Sequence, residues 1–366
     1  MKYCLLFLSL CAIAACKSNA GITVKNAHHT IGYYGRALAD ADNNIVLIGS
    51  ASYIEFGFSG DTCIIWMKNI AGEGDYNYVA VEVDNQYTGR RKVEGSRLRS
   101  FTITTASRRP HIVRIYKATE AANGQVVIER VEGRGIRKLS HPTRLKIEFI
   151  GNSITCGMGN DLEKIPCGQG KWYDQHNAYW AYGPRLARTL NTDFMLSAVS
   201  GIGIYRNWNS DGPVMPQVYE SAHLNWDSSL RWDFNNYVPD IVSICLGTND
   251  FSDGDGKQER LPFDSAAFIK QYVDFVNTIY SHYPHTQVAL LTSPMLSGPK
   301  AALLLACLKR IQATLTIRHP DKPHIEIFPF ATMQPKGCGY HPDIHDHQLL
   351  AEQLTPFFKG LLEKIK

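Results

Sequence analysis

A β-sandwich or jelly roll followed by a three-layer α/β domain is the architecture this sequence predicts. Three observations carry that expectation. Short apolar segments with strand-like alternation fill the chain up to residue 135, apolar runs alternate with helical stretches from residue 144 on, and a basic segment holding Pro142 separates them. A chain of 366 residues is better served by two hydrophobic cores than by one, of roughly 120 and 220 residues. With 44% hydrophobic and 20% charged residues, and 38 Lys and Arg against 34 Asp and Glu, the composition is that of an ordinary globular protein near electrical balance. Such a balance leaves nucleic acid out as an expected partner.

Taken in order, the chain opens with MKYCLLFLSLCAIAAC, in which Lys2 precedes an apolar run from Leu5 to Ala15. The run is too short for a membrane span, and residues 1–20 read as a secretory signal. Ile13-Ala14-Ala15-Cys16 resembles a bacterial lipobox, which makes Cys16 the expected lipidation site; cleavage after Ala20 would release a soluble product instead. On either route the mature protein is expected outside the cytoplasm, in the periplasm or at the cell surface, touching the membrane only through that anchor. Residues 21–135 hold NIVLIGS, SYIEFGFSG, TCIIWMKN, NYVAVEVDNQ, SFTITTAS, HIVRIYKATE and GQVVIERVEG, at least seven strands with no helical stretch. Residues 136–143 are the expected linker. Residues 144–366 then alternate β-branched runs (LKIEFIG, DFMLSAVS, DIVSICLGTND, QVALLTSP, HIEIFPF) with amphipathic helical segments, the pattern of a parallel sheet covered on both faces. Setting aside Cys4, Cys11 and Cys16, six cysteines remain, with no zinc-ligand spacing among them. Cys245 and Cys307 read as buried thiols, and Cys156 with Cys167 is the best disulfide candidate.

In a parallel α/β sheet the site forms at the carboxyl ends of the strands. The first strand ends in Gly151-Asn152-Ser153, where a serine can present its hydroxyl and its own N–H at a helix start, although capping that helix is an equally ordinary use of serine. The second strand ends at Ser200-Gly201, a backbone N–H for an oxyanion or simply a turn. The third ends in Gly247-Thr248-Asn249-Asp250, where the Asn249 amide can add an oxyanion donor. After the fifth run comes Gly337-Cys338-Gly339-Tyr340-His341-Pro342; His341 can act as general base, with His345 and His347 as competitors. Tyr205 and Trp208 follow Gly201 closely enough to stack on a sugar ring, or merely to pack their loop, whereas Trp172, Trp180, Trp226 and Trp232 are not placed by sequence.

The order Ser, Gly, Asn, His at successive strand ends resembles the SGNH, or GDSL, hydrolase superfamily. The whole mature chain is similar to the second family of carbohydrate esterases, acetylxylan and acetylmannan esterases with an N-terminal jelly roll; GNSITCGMGN, SGIGIYRNW, GTND, GYHP and GSASYIEFGFSG carry the match. The resemblance implies a flavodoxin-like α/β/α catalytic domain, Ser153 as nucleophile, Ser153, Gly201 and Asn249 as oxyanion hole, and His341 as base. It implies no metal and no organic cofactor, and an acetylated polysaccharide or oligosaccharide as partner. Two positions depart from the superfamily pattern. Asn152 replaces the aspartate of Gly-Asp-Ser, and Cys338 occupies the place of the acid three residues before the histidine; a neutral thiol cannot serve as an anionic acceptor there. The esterase family sometimes lets a backbone carbonyl orient the histidine instead, and by position that carbonyl is Gly339's. Two other functions compete: an SGNH lipase or thioesterase for longer acyl chains, and a polysaccharide-binding lipoprotein whose site has decayed.

Overall fold

The computed structural model describes residues 22–25, 30–257 and 259–365. The expected signal and Cys16 lie outside the described residues. The first domain contains β1 (Ile22–Lys25), β2 (Gly32–Tyr34), β3 (Ala37–Ala39), β4 (Ile45–Leu47), β5 (Tyr53–Ile70), β6 (Tyr76–Val83), β7 (Gln86–Glu94), β8 (Arg99–Thr104), β9 (Pro110–Lys117) and β10 (Gln125–Arg137). They form an antiparallel sheet in the order β3-β4-β10-β5-β9-β6-β7, with β1 on β10 and both β2 and β8 on β5. The long strand β5 links the sheet: its first half pairs with β2 and β9, its second with β8, and β10 runs along most of its length. Both halves contribute to one core, Ile54, Phe56 and Phe58 from the first and Cys63, Ile65 and Met67 from the second. In the second half those buried residues alternate with the partly exposed Ile64, Trp66 and Lys68, the period of two that a one-sided strand requires.

β10 continues to Arg137, so the expected linker is shorter at its start, because Ile136 and Arg137 belong to the sheet. Residues 138–145 have no regular structure before β11 (Lys146–Gly151) opens the second domain. There β12 (Asp193–Ala198), β13 (Ile241–Cys245), β14 (Gln287–Leu291) and β15 (Glu326–Phe328) complete a parallel sheet ordered β12-β11-β13-β14-β15. Helices α4 (Ser265–His282) and α5 (Gly298–Arg318) cover one face with Phe268, Val276, Leu304 and Leu308. The other face is covered by α2 (Tyr182–Leu190) and α6 (Ile344–Ile365), and by the first domain. The short helices α1 (Ser153–Cys156) and α3 (Met215–Val218) lie in the loops after β11 and β12.

The two domains share a core. Ala51, Tyr53, Ala80, Tyr116 and Ala118 of the β-domain pack with Ile147, Phe149, Tyr179 and Leu186 of the α/β domain. Arg36, fully buried, reaches across and donates to the carbonyls of Tyr219 and Ser221 and to Ser197 Oγ, while Ser197 and Tyr219 donate in turn to Glu148. Burial pulls the Arg36 pKa down and pushes that of Glu148 up, and each charge opposes the other's shift. A network of this kind leaves buried charge exposed to loss if either domain is removed.

Candidate active site

β11 lies between β12 and β13, at the point where the strand order reverses, and its last residues deliver Ser153 to the crevice there. Asn152 caps α1: its Oδ1 accepts from the Ile154 N–H at 3.1 Å, so the replacement of aspartate leaves the turn with the acceptor it needs. Ser153 is 6% exposed. Its Oγ stands 2.7 Å from His341 Nε2, and His341 Nδ1 stands 2.7 Å from the Gly339 carbonyl oxygen. With that carbonyl as acceptor, Nδ1 carries the proton and Nε2 is free to accept one from the serine.

The turn bearing His341 is irregular. Gly339 and Tyr340 take φ of 61° and 60°, and the turn closes through Gly337 N–H to the His341 carbonyl. The expected Cys156–Cys167 disulfide does not form. Cys167 bonds Cys338 instead, across a sequence separation of 171. The reason lies in where the chain places each sulfur: Cys156 is buried in α1, whereas Cys167 sits in a loop that folds across the C-terminal turn. The position read as a thiol in the acid's place is therefore half of a cystine. Cys63, Cys156, Cys245 and Cys307 are buried free thiols.

Neither nearby acid reaches the histidine. Asp343 Oδ1 accepts from the Asp346 N–H, and Asp346 Oδ2 accepts from the Lys336 and Asp343 N–H groups. The competing histidines separate equally clearly. His345 is exposed, and His347 is buried with Nδ1 accepting from the Tyr182 N–H, its pKa pulled down to about 3 by burial. Burial also lowers the pKa of His341, against the opposing pull of the Gly339 carbonyl.

Gly201 takes φ of 77° with open space where a Cβ would stand, and the Asn249 amide donates to the carbonyl of the neighbouring Ile202 at 2.7 Å. Among the described residues no hydrogen bond engages the Ser153 or Gly201 N–H. Two backbone donors and one side-chain amide thus stand at the ends of adjacent strands β11, β12 and β13.

Comparison with known proteins matches both domains. Residues 33–142 match the carbohydrate esterase 2 N-terminal domain, and residues 149–334 match the GDSL-like lipase/acylhydrolase family. The chain belongs to the GDSL-like lipase/acylhydrolase family. It is similar to the cellulase/esterase CelE of Acetivibrio thermocellus, 30% identical over 337 residues that span 90% of this chain but only 39% of that protein. An acetylxylan esterase / glucomannan deacetylase of Cellvibrio japonicus is 28% identical over 259 residues, 69% of this chain and 68% of the relative. Among solved structures, a family two carbohydrate esterase from Clostridium thermocellum in complex with cellohexaose superposes with a TM-score of 0.79 at 29% identity, covering 91% of this chain and 99% of that one. These findings place the GDSL-like chain among the carboxylic ester hydrolases.

A groove of about 980 Å³ in this GDSL-like hydrolase begins at Ser200 and Gly201, beside Ser153 rather than over it, and runs between the two domains. Trp208 and Trp226 line it at 45% and 67% exposure. Trp208 is therefore available to a ligand, and its N–H closes the loop onto the Gly201 carbonyl. Tyr205 is not: its ring packs against Phe263 and Phe268, and its hydroxyl accepts from the Asp264 N–H, so the packing alternative holds for it. Trp232 is buried beneath Arg36, Trp180 packs on Arg185 and Tyr179, and Trp172 stands half-exposed against His176.

Sequence reading missed two carboxylates. Asp250 Oδ1 accepts from the Ile204, Tyr205 and Arg206 N–H groups and so shapes the loop after Gly201; burial raises its pKa to about 6 against those bonds. Asp250 stands beside Asn249 in the sequence, where an Asn-Asp pair after a strand is ordinarily a turn. Glu120, from the β-domain, accepts from the Ser200 N–H at 2.6 Å. Nothing local in the sequence announces it, since its partner is 80 residues away.

Proposed function

We propose that this protein is a serine esterase that removes O-acetyl groups from plant polysaccharides such as xylan and glucomannan, through a Ser153–His341 dyad and an acetyl-enzyme. The observation that carries the proposal is the contact of His341 Nε2 with Ser153 Oγ at 2.7 Å while Nδ1 faces the Gly339 carbonyl. His341 takes the hydroxyl proton as Ser153 attacks the acetyl carbonyl. The Ser153 and Gly201 N–H groups and the Asn249 amide receive the charge that develops on oxygen. His341 then protonates the departing sugar hydroxyl, and water attacks the acetyl-enzyme by the same route in reverse. None of these steps draws on a metal or organic cofactor.

The substrate class is supported by the named activity of the Cellvibrio japonicus relative and by the cellohexaose bound to the Clostridium thermocellum esterase. The groove with Trp208 and Trp226 offers a sugar ring two apolar faces. Export to the periplasm or cell surface, with a lipid on Cys16, is part of the same proposal; the Cys167–Cys338 disulfide favours an oxidising compartment. Acetate release from acetylated xylan and glucomannan, with Ser153→Ala as control, tests the activity. Faster hydrolysis of octanoyl than acetyl aryl esters would favour a lipase instead, and no hydrolysis of either would favour a binding protein.

A further inference from the structure

We infer that Glu120, a carboxylate delivered by the β-domain, is a positioning residue that ties the oxyanion loop, the nucleophile helix and the turn of the base to one another. The inference rests on the esterase reading above. Glu120 is fully buried, three residues after β9, and it faces three segments of the α/β domain. Its Oε2 accepts from the Ser200 N–H at 2.6 Å, and Ser200 directly precedes Gly201. The same oxygen accepts from Cys156 Sγ at 3.4 Å, and Cys156 closes the helix that Ser153 opens. Its Oε1 lies 3.5 Å from Nε2 of His176, longer than a hydrogen bond, and neither atom has another hydrogen-bond partner.

His176 carries the connection to the base. Its Nδ1 accepts from the Gly159 N–H at 3.4 Å, so its proton lies on Nε2, toward Glu120. The Gly159 carbonyl accepts from the Cys338 N–H at 2.8 Å, and Cys338 begins the turn whose Gly339 carbonyl faces His341. The contact between these segments is close: a Cβ on Gly159, whose φ is 65°, would lie 2.7 Å from the Cys338 carbonyl oxygen. The backbone around Glu120 is itself braced, because Lys117 Nζ donates to the carbonyls of Thr119 and Glu120. Burial pushes the Glu120 pKa up, but the facing imidazole and the Ser200 N–H outweigh it and hold the carboxyl below its ordinary value, so it is an anionic acceptor. A charged acceptor with two lone-pair-rich oxygens is what the place demands. An amide can satisfy the Ser200 N–H only by turning an NH₂ toward the His176 proton.

Steady-state hydrolysis of an aryl acetate by the full chain, carrying Glu120→Gln, Glu120→Ala or Ser153→Ala, tests the role. Glu120→Gln should lower kcat about tenfold and Glu120→Ala about a hundredfold, with KM within about twofold of wild type, as expected when transition-state donors lose their setting. A loss that persists in the isosteric Glu120→Gln, smaller than in Glu120→Ala, distinguishes positioning by the carboxylate from simple space filling. Should Glu120→Ala fail to fold, the isosteric Glu120→Gln decides. Wild-type kcat in a folded Glu120→Gln, or an effect confined to KM, would overturn the positioning role while leaving the esterase reading intact. A wild-type protein no more active than Ser153→Ala would instead overturn the esterase reading itself.

Discussion

The two turns that bring Ser153 and His341 together are held by different means. Ser153 follows a fully paired central strand, and all four residues of α1 are buried, so the backbone ladder and the Asn152 cap define its place. His341 sits half-buried on a turn with two successive left-handed residues, fastened by the Cys167–Cys338 bond, by the Gly159 carbonyl and by the start of α6. A side chain rooted in a sheet survives changes in distant loops, whereas one on an irregular turn depends on whatever crosses it. Precise placement matters for both, since a misalignment of about 1 Å can cost about a hundredfold in rate.

The largest expected effects ignore that difference. Ser153→Ala and His341→Ala should each lower turnover by about a thousandfold or more, because the two residues act as one unit. Thermal unfolding should show both variants folded. Near-normal turnover in either would dissolve the dyad. On the sheet-rooted side, Asn249→Ala should cost about a hundredfold in kcat with little change in KM; a pure KM effect would make Asn249 a substrate contact.

The contrast sharpens with the disulfide. Replacing both Cys167 and Cys338 by serine should lower kcat about tenfold and destabilise the fold by ~2–4 kcal/mol, as measured by denaturant unfolding. Unchanged turnover would show that the Gly159 to Cys338 hydrogen bond is enough to hold the base. Asp343→Ala should stay within about tenfold of wild-type turnover and cost about 1 kcal/mol, because its carboxylate caps α6 rather than orienting His341. A thousandfold loss there would mean a triad. The smallest effect is in pH: only neutral His341 can accept the serine proton, and its folded pKa is lowered, so the acid limb of kcat/KM should fall below the ordinary histidine value of 6.5. A midpoint above 6.5 in a pH–rate profile would contradict that.

Much of this molecule is legible in one dimension. Period-two segments became β5 and its neighbours, β-branched runs became β11 to β15, and Ser153, Gly201, Asn249 and His341, the proposed catalytic set, follow strands or the last apolar run directly. Strand and helix periods are local properties of burial on one or two faces, which is why they can be counted along a chain. The irregular segment between the domains lies two residues later than the sequence suggests, at residues 138–145, because β10 runs on to Arg137.

Other features depend on residues far apart in the chain, and no local pattern could supply them. Cys167 finds Cys338 rather than Cys156 because folding buries Cys156 beside Glu120 and carries the Cys167 loop over the C-terminal turn. Tyr205 is packed by Phe263 and Phe268, while Trp208, only three residues on, is left facing the groove. Glu120 reaches Ser200 only because Arg36 and the Tyr53 and Tyr116 rings hold the domains together. Composition, periodicity and the spacing of strand ends belong to the chain itself; which sulfur, ring and carboxylate meet across the domain boundary follows from burial and packing, which act between segments that sequence order keeps apart.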